Sequence, residues 1–220
     1  MPSLGHDPIE DLFNAIRTIL GRPPYNEERE RFGKYLNLLL LWNRTHRLTG
    51  VRSALDVVHR LFIDSLLFFP LLPPARPLKI VDIGAGAGIP GVPLRIVDTR
   101  ISLTLIEARR KKASFLEALT QEIGIEDTRV FQGRAEAIVN QQKDLYEEFD
   151  VVVARAVSLP GLFYPIASPY IRPGGLLIVS GPPRTKLALS QRSLLNAERK
   201  EVKVPDLKVE RQFLVVRKDA

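Results

Sequence analysis

The stretch Ile80-Val81-Asp82-Ile83-Gly84-Ala85-Gly86-Ala87-Gly88-Ile89-Pro90-Gly91-Val92-Pro93-Leu94 puts an apolar run directly before closely spaced glycines and then a helix-compatible segment. Few folds accept that order. Leu78 to Val81 supply the short apolar run, interrupted only by Lys79, expected of a strand buried on both faces, and Asp82 sits where that strand should end. Past Asp82 bulk is avoided: Gly84, Gly86 and Gly88 permit positive φ and let a ligand lie against bare main chain. Pro93 suits the first turn of a helix, whose amides are expected to lack partners and so to favour ligand oxygens. Strand, glycine turn and helix in this order predict a nucleotide-cofactor loop.

Two cofactor classes use such a loop, and the pattern alone does not separate them. Gly86-x-Gly88-x-x-Gly91 satisfies the dinucleotide fingerprint, whereas Asp82-x-Gly84-x-Gly86-x-Gly88 looks like the first motif of methyltransferases that use S-adenosylmethionine. The second match is the better one, because Asp82 precedes the glycines and can face the cationic amino group of a methionine moiety, directly or through water. On this reading Asp82, Gly84, Ala85 and Gly86 are candidate donor-binding residues.

The flanking sequence agrees with an α/β sheet. From Leu78 onward strands (Leu78–Ile83, Ser102–Ile106, Arg129–Phe131, Asp150–Ala154) alternate with helices (to about Asp98, Lys111–Ile123, and a short one from Ala135). The last third differs, with strands at Leu176–Val179, Glu201–Val204 and Phe213–Val216 and a helical stretch only at Lys186–Asn196. An antiparallel final pair fits, and a mostly parallel sheet with an antiparallel last strand resembles the Rossmann-like fold of S-adenosylmethionine methyltransferases, where a six-strand parallel dinucleotide fold would not end so. Before the sheet, Asp7–Leu20 and Glu27–Trp42 carry apolar residues at helical spacing, and Ser53 caps a third helix that should run to Pro70. The run Pro73-Pro74-Ala75-Arg76-Pro77 then divides an N-terminal helical extension, 1–76, from a donor-binding domain, 77–220.

Composition narrows the chemistry. With no cysteine and three scattered histidines (His6, His46, His59), no metal site is expected. A net charge of +7 favours an anionic partner such as nucleic acid. The run Leu66–Leu72 is short and proline-broken and the first residues carry Asp7, Glu10 and Asp11, so no membrane contact and a cytoplasmic location are expected.

Three further positions carry candidate chemistry. Glu107 closes the second strand, where a carboxylate can accept from both hydroxyls of an adenosine ribose. Gly133-Arg134-Ala135-Glu136 follows the third strand, and the main chain of Ala135 and Glu136 can bracket an adenine ring, or simply begin a helix. Arg155 lies at the carboxyl end of the fourth strand and needs an anionic or acceptor partner, in the pocket or in a structural salt bridge.

In chain order, Trp42-Asn43-Arg44-Thr45-His46-Arg47-Leu48-Thr49, Phe62-Ile63-Asp64-Ser65-Leu66, the glycine loop, Arg134-Ala135-Glu136, Val153-Ala154-Arg155-Ala156 and the closing Arg211-Gln212-Phe213-Leu214-Val215-Val216 resemble the RsmG (GidB) family. The resemblance implies a bacterial methyltransferase that makes 7-methylguanosine in 16S ribosomal RNA of the small subunit, with S-adenosyl-L-methionine as donor. It further implies that Gly84 and Ile89 line the donor, that Ala135 and Glu136 flank its adenosine, and that Arg155 completes the pocket. Three positions depart from the family's usual residues, outside the donor motifs: Arg47 for Asn, Leu61 for His and Ser180 for Lys.

Nitrogen-7 of guanine has an in-plane lone pair and no proton to lose, so its methylation requires alignment rather than a general base. No catalytic acid or base is therefore assigned. Candidate phosphate contacts are Arg44, Arg47, Arg52 and Arg60, the run Arg109-Arg110-Lys111-Lys112, and Arg184, Lys186 and Arg192. Trp42 is read as a core anchor, with base stacking as its alternative. A monomer is expected. The rival readings are a methyltransferase for another RNA, a protein or a small molecule, and a donor-binding ribosome-assembly factor without transfer activity.

Overall fold

The computed structural model describes residues 7–74, 77–181 and 197–219. The boundary near residue 76, the helix expected at 186–196, and Arg184, Lys186 and Arg192 lie outside the described residues.

Helix α1 (Pro8–Leu20) begins where the Asp7 carboxylate accepts from Ile9 N–H at 2.9 Å and ends at Gly21, whose φ of 66° lets its own N–H bond back to Arg17. Helix α2 (Asn26–His46) starts with the Glu28 carboxylate accepting from Tyr25 N–H at 2.8 Å. Glu28 is buried and ion-paired with Arg22, whose guanidinium also reaches the Val97 carbonyl at 2.7 Å. The Gly-Arg-Pro-Pro breaker is thereby tied to the sheet domain.

At its other end α2 stops on Arg47 with φ 49°, a left-handed conformation that favours Gly or Asn over a side chain branching toward its own carbonyl. Arg47→Gly is expected to raise stability by about 1 kcal/mol, a rise of roughly 2–4 °C in thermal midpoint. An unchanged or lower midpoint would mean that the arginine's own contacts outweigh the backbone strain.

The third helical stretch is not the single helix that its apolar spacing predicts. It consists of α3 (Ala54–Val57), a π-helical turn (Val58–Ile63) and α4 (Asp64–Leu66). The wider turn buries Val58, Leu61, Phe62 and Ile63 together, and Asp64 follows it immediately.

All seven strands of the described residues come after residue 77 and form one sheet in the order β3-β2-β1-β4-β5-β7-β6. These are β1 (Leu78–Ile83), β2 (Ile101–Glu107), β3 (Thr128–Gln132), β4 (Phe149–Arg155), β5 (Ile171–Ser180), β6 (Ala197–Val204) and β7 (Val209–Arg217). The first five run parallel, and β7 is antiparallel both to β5 and to β6, as the sequence predicts. Helices α5 (Gly91–Val97), α6 (Arg110–Glu122) and α7 (Ala135–Gln141) follow β1, β2 and β3. An unforeseen helix, α8 (Pro160–Ala167), joins β4 to β5. Strand β5 also starts earlier than expected, running through Pro173-Gly174-Gly175 with a register irregularity opposite Phe149 and Val151.

Successive strand residues face opposite layers. Ile80, Leu103, Leu105, Val151, Val153 and Ile178 point into one core shared by α1, α2, the π turn, α5 and α6. Val81, Ile106, Val152, Ala154, Leu177 and Val179 point into the other, under α7 and α8. The first core is continuous from the N-terminal helices to β7: Phe32 and Tyr35 pack on Phe62, and Phe68 meets Phe213 edge-on at 4.8 Å. Trp42 packs edge-on against Phe115 of α6 at 5.6 Å, which fits the anchoring role. No helix among the described residues is long and apolar enough to cross a membrane.

Candidate active site

Strands β1 and β4 are neighbours although β2 and β3 intervene in sequence, so sheet growth reverses direction between them. The carboxyl edge at such a reversal is where open α/β sheets take ligands. Register fixes what stands along that edge. Glu107 pairs with Gln132 at the ends of β2 and β3; Asp82 pairs with Val153, so two residues further on Gly84 lies just past the end of β1 and Arg155 at the end of β4; Arg155 pairs with Ser180 at the end of β5.

The glycines divide into two pairs with different duties. A Cβ on Gly84, whose φ is +77°, would enter open space, and one on Gly86, at φ +61°, would come no closer than 3.7 Å to Lys112 Nζ and the Gly84 carbonyl. Gly88 and Gly91 instead face protein. A Cβ on Gly88 would lie 2.8 Å from the Tyr35 hydroxyl and 2.9 Å from Val92 Cγ2; one on Gly91 would lie 2.9 Å from Asp82 Oδ2. Gly88 thus serves packing, where the sequence reading gave it to the ligand.

The loop's amides also depart from expectation, for they do not wait for ligand oxygens. Gly84 and Ala85 N–H both donate to the Ile106 carbonyl, Gly88 and Ile89 N–H to Ala85, and Val92 N–H to Gly88. Gly86 N–H donates to Glu107 Oε2 at 2.9 Å and Gly91 N–H to Asp82 Oδ2 at 2.8 Å. A carboxylate therefore occupies the start of α5, the place where a dinucleotide fold holds pyrophosphate. Two carboxylates, on a loop whose Gly84, Ala85, Gly86, Gly88, Ile89 and Gly91 amides are engaged, suit a cationic ligand better than a phosphate.

Glu107 is buried and faces the loop, with Oε2 on Gly86 N–H and Oε1 on Arg109 N–H at 2.8 Å. Each oxygen keeps a second lone pair. Asp82 is fully buried, and its Oδ1 has no hydrogen-bond partner. Burial pushes its carboxyl up to about 7; the Gly91 N–H and Arg155 pull it down and Glu107 adds to the rise. An orphaned buried carboxylate oxygen beside an open glycine turn fits the ammonium of a methionine moiety. Ala85 and Ile89 are buried in the first core, Ala135 is buried with its carbonyl accepting from the Tyr170 hydroxyl at 2.6 Å, and Glu136 is exposed in the first turn of α7. Gly133 N–H donates to the Glu107 carbonyl at 3.0 Å, which brings that turn beside the acid.

Arg155 sits in a salt bridge at the edge of a cleft. Its Nε is 2.8 Å from Asp64 Oδ2, off the hydrogen-bonding direction, and its Nη2 donates to the Arg60 carbonyl at 2.7 Å. Asp64 also pairs with Arg211 Nη1 at 3.1 Å, and Arg211 Nη2 reaches Ser180 Oγ and the Gly181 carbonyl. The sequence gives Asp64 and Arg211 no role beyond their family motifs, although an acid one residue past a buried apolar turn needs a cationic partner. Arg60, Leu61, Asp64, Arg155 and Arg211 line a cleft of about 620 Å³, with Ala156 held at φ 60° on its wall.

A second cleft of about 770 Å³ shares Thr49 and Gly50 with the first and collects Arg44, Arg47, Arg52, Arg109 and Lys112 with no carboxylate among its lining residues. Of the basic candidates, Arg110 and Lys111 are instead exposed on the first turn of α6. No group of His, Cys, Asp or Glu among the described residues is placed to hold a metal ion.

Known proteins resemble this chain at both levels. The GidB family model, described as rRNA small subunit methyltransferase G, matches residues 28–214. A protein of Streptococcus equi subsp. zooepidemicus named ribosomal RNA small subunit methyltransferase G is 36% identical over 156 residues, 70% of this chain and 65% of that one. A Caldanaerobacter subterraneus protein of the same name is 40% identical over 149 residues, 68% of this chain and 62% of that one. The match thus spans a little under two thirds of these relatives' length. Among solved structures, a predicted O-methyltransferase from Agrobacterium tumefaciens superposes with a TM-score of 0.55 at 21% identity, covering 70% of this chain and 80% of that one, a likeness of fold.

Proposed function

The chain belongs to the GidB family, rRNA small subunit methyltransferase G, and from that membership we propose that it methylates nitrogen-7 of a guanine in 16S ribosomal RNA, with S-adenosyl-L-methionine as donor. One observation carries the reading: Glu107, the open Gly84 turn over Asp82, and Arg155 stand in sequence along one sheet edge, with the amides of Gly84, Ala85 and Gly86 already bonded within the protein.

When bound, the donor supplies an electrophilic methyl group on a sulfonium. Glu107 offers its remaining lone pairs to the ribose hydroxyls, held in orientation by Gly86 and Arg109 N–H. Asp82 Oδ1 meets the ammonium, Gly84, Ala85, Gly86 and Ile89 form the wall beneath, and Ala135 and Glu136 flank the adenosine. Arg155 borders the acceptor side, next to the cleft that receives the base. No proton leaves nitrogen-7, so these residues act by fixing approach and excluding water. The all-basic cleft supplies phosphate contacts. Residues 1–76 serve as an extension packed on a 77–220 donor-binding domain, and the enzyme works as a cytoplasmic monomer.

Asp82 gives this reading a pH signature. Its carboxyl titrates near 3.8 when unfolded and near 7 in the folded protein. The folded state therefore holds a proton that the unfolded chain has lost, and this contribution to stability fades as pH rises from about 4 to about 7. Pairing with the donor ammonium requires the carboxylate. Calorimetry below pH 7 is expected to show release of about one proton per donor bound, with affinity falling by up to ~10-fold per pH unit. In Asp82→Asn both effects should vanish; proton release that persists in that variant would move the linkage to another group.

The decisive test supplies labelled S-adenosylmethionine with small ribosomal subunits, naked rRNA or a protein mixture, followed by digestion and identification of the labelled nucleoside. The expected product is 7-methylguanosine, formed with a steep dependence on salt. Label confined to protein overturns the RNA assignment, and donor binding without label in any fraction favours an assembly factor.

A further inference from the structure

We infer that Tyr35 is a positioning residue for the donor: from α2, its hydroxyl fixes the Ala87–Gly88 turn of the glycine loop, making the N-terminal helices a working part of the donor site. The inference rests on the donor reading above.

Tyr35 is fully buried in the middle of α2, and its hydroxyl donates to the Ala87 carbonyl. The rest of the loop is held from the sheet side, by the Ile106 carbonyl under Gly84 and Ala85, by Glu107 on Gly86 and by Asp82 on Gly91. Ala87 lies between these anchors, and Tyr35 holds it from the opposite layer. The fit is close enough to dictate a residue type, because the hydroxyl lies 2.8 Å from where a Gly88 Cβ would stand. Ordinary Cβ contacts are longer, so Gly88 is glycine in part to admit this hydroxyl.

Two features give the contact a role beyond packing. Burial, with the Asp82 carboxylate adding and Arg155 opposing, keeps the Tyr35 phenol protonated and able to donate, and Asp82 is the group set against the donor's ammonium in the reading above. Its ring also rests on Phe62 at 4.7 Å, within the π turn that leads into Asp64, the partner of Arg155. One side chain thus braces the donor loop and touches the element that carries the acceptor-side ion pair. Further along the same helix, Asn43 and Arg44 line the basic cleft.

Tyr35→Phe keeps the ring and removes the hydroxyl, leaving the buried Ala87 carbonyl without its donor. The expected result is a ~10-fold weaker Kd for S-adenosylmethionine by calorimetry and a matching rise in donor KM, with kcat and RNA affinity within about threefold of wild type. A residue of structural importance alone would lower the thermal midpoint and leave donor Kd unchanged. Gly88→Ala is the second variant, since it crowds the hydroxyl without removing it and should also weaken donor binding. In the double variant the hydroxyl and its share of the crowding are gone while the Val92 contact and the strain at φ +88° remain, so the combined loss should still fall short of the product of the single losses. Unchanged donor Kd in Tyr35→Phe, or strictly multiplicative losses in the double variant, overturns the inference while leaving the donor reading intact. Failure of the wild-type protein to bind S-adenosylmethionine overturns both.

Discussion

Gly84→Ala is expected to fold and yet to bind S-adenosylmethionine at least ~100-fold more weakly, because its new methyl group enters the space left open for the donor. The backbone strain of a side chain at φ +77° costs about 1–2 kcal/mol, which a domain of this size survives. Gly91→Ala should fail in the opposite manner. Its Cβ would press on Asp82 at 2.9 Å and on Leu103 at 3.1 Å, inside a packed core, for a loss of roughly 1–3 kcal/mol or more. Thermal melts separate the two, and calorimetry on the folded fraction reads the donor. Normal donor affinity in Gly84→Ala would place the ligand elsewhere on the edge.

Arg155→Ala is expected to lower methyl transfer by at least ~100-fold, about 3 kcal/mol, with the fold retained. Retention follows from Asp64, which keeps Arg211 as a partner and is not left an isolated buried charge. Arg155→Lys should recover little, because a lysine cannot hold Asp64 and the Arg60 carbonyl together at the observed directions. Single-turnover measurement with saturating donor reads the effect at the chemical step. Full activity in either variant would reduce Arg155 to a structural cation.

How much of this could be read beforehand depends on the range of the interaction. Strand β1, its glycine turn and the acid at the end of β2 announce themselves because each needs a residue type at a short spacing. The antiparallel ending was legible for the same reason, from three strands with too little helix between them. Helix α8 was not, since Pro160, Gly161 and Pro165 all look like breakers; Pro160 in fact occupies the first turn, where its missing N–H is harmless. The bonds of Gly84, Ala85 and Gly86 to Ile106 and Glu107, the contact of Gly88 with Tyr35 and the Arg155–Asp64–Arg211 chain are illegible because their partners come from distant parts of the sequence. A tyrosine at a helical core position gives no sign that its hydroxyl will reach a loop in another layer.

The contact between Phe68 and Phe213 has a consequence for synthesis. Phe68 precedes the sheet in sequence, whereas β7 is inserted between β5 and β6 and is the last of the described strands to be made, so this edge of the first core closes only after the other six strands have been translated. Pairing so distant in sequence raises contact order and slows refolding, and it leaves the Phe68 face of the nascent chain uncovered until β7 emerges.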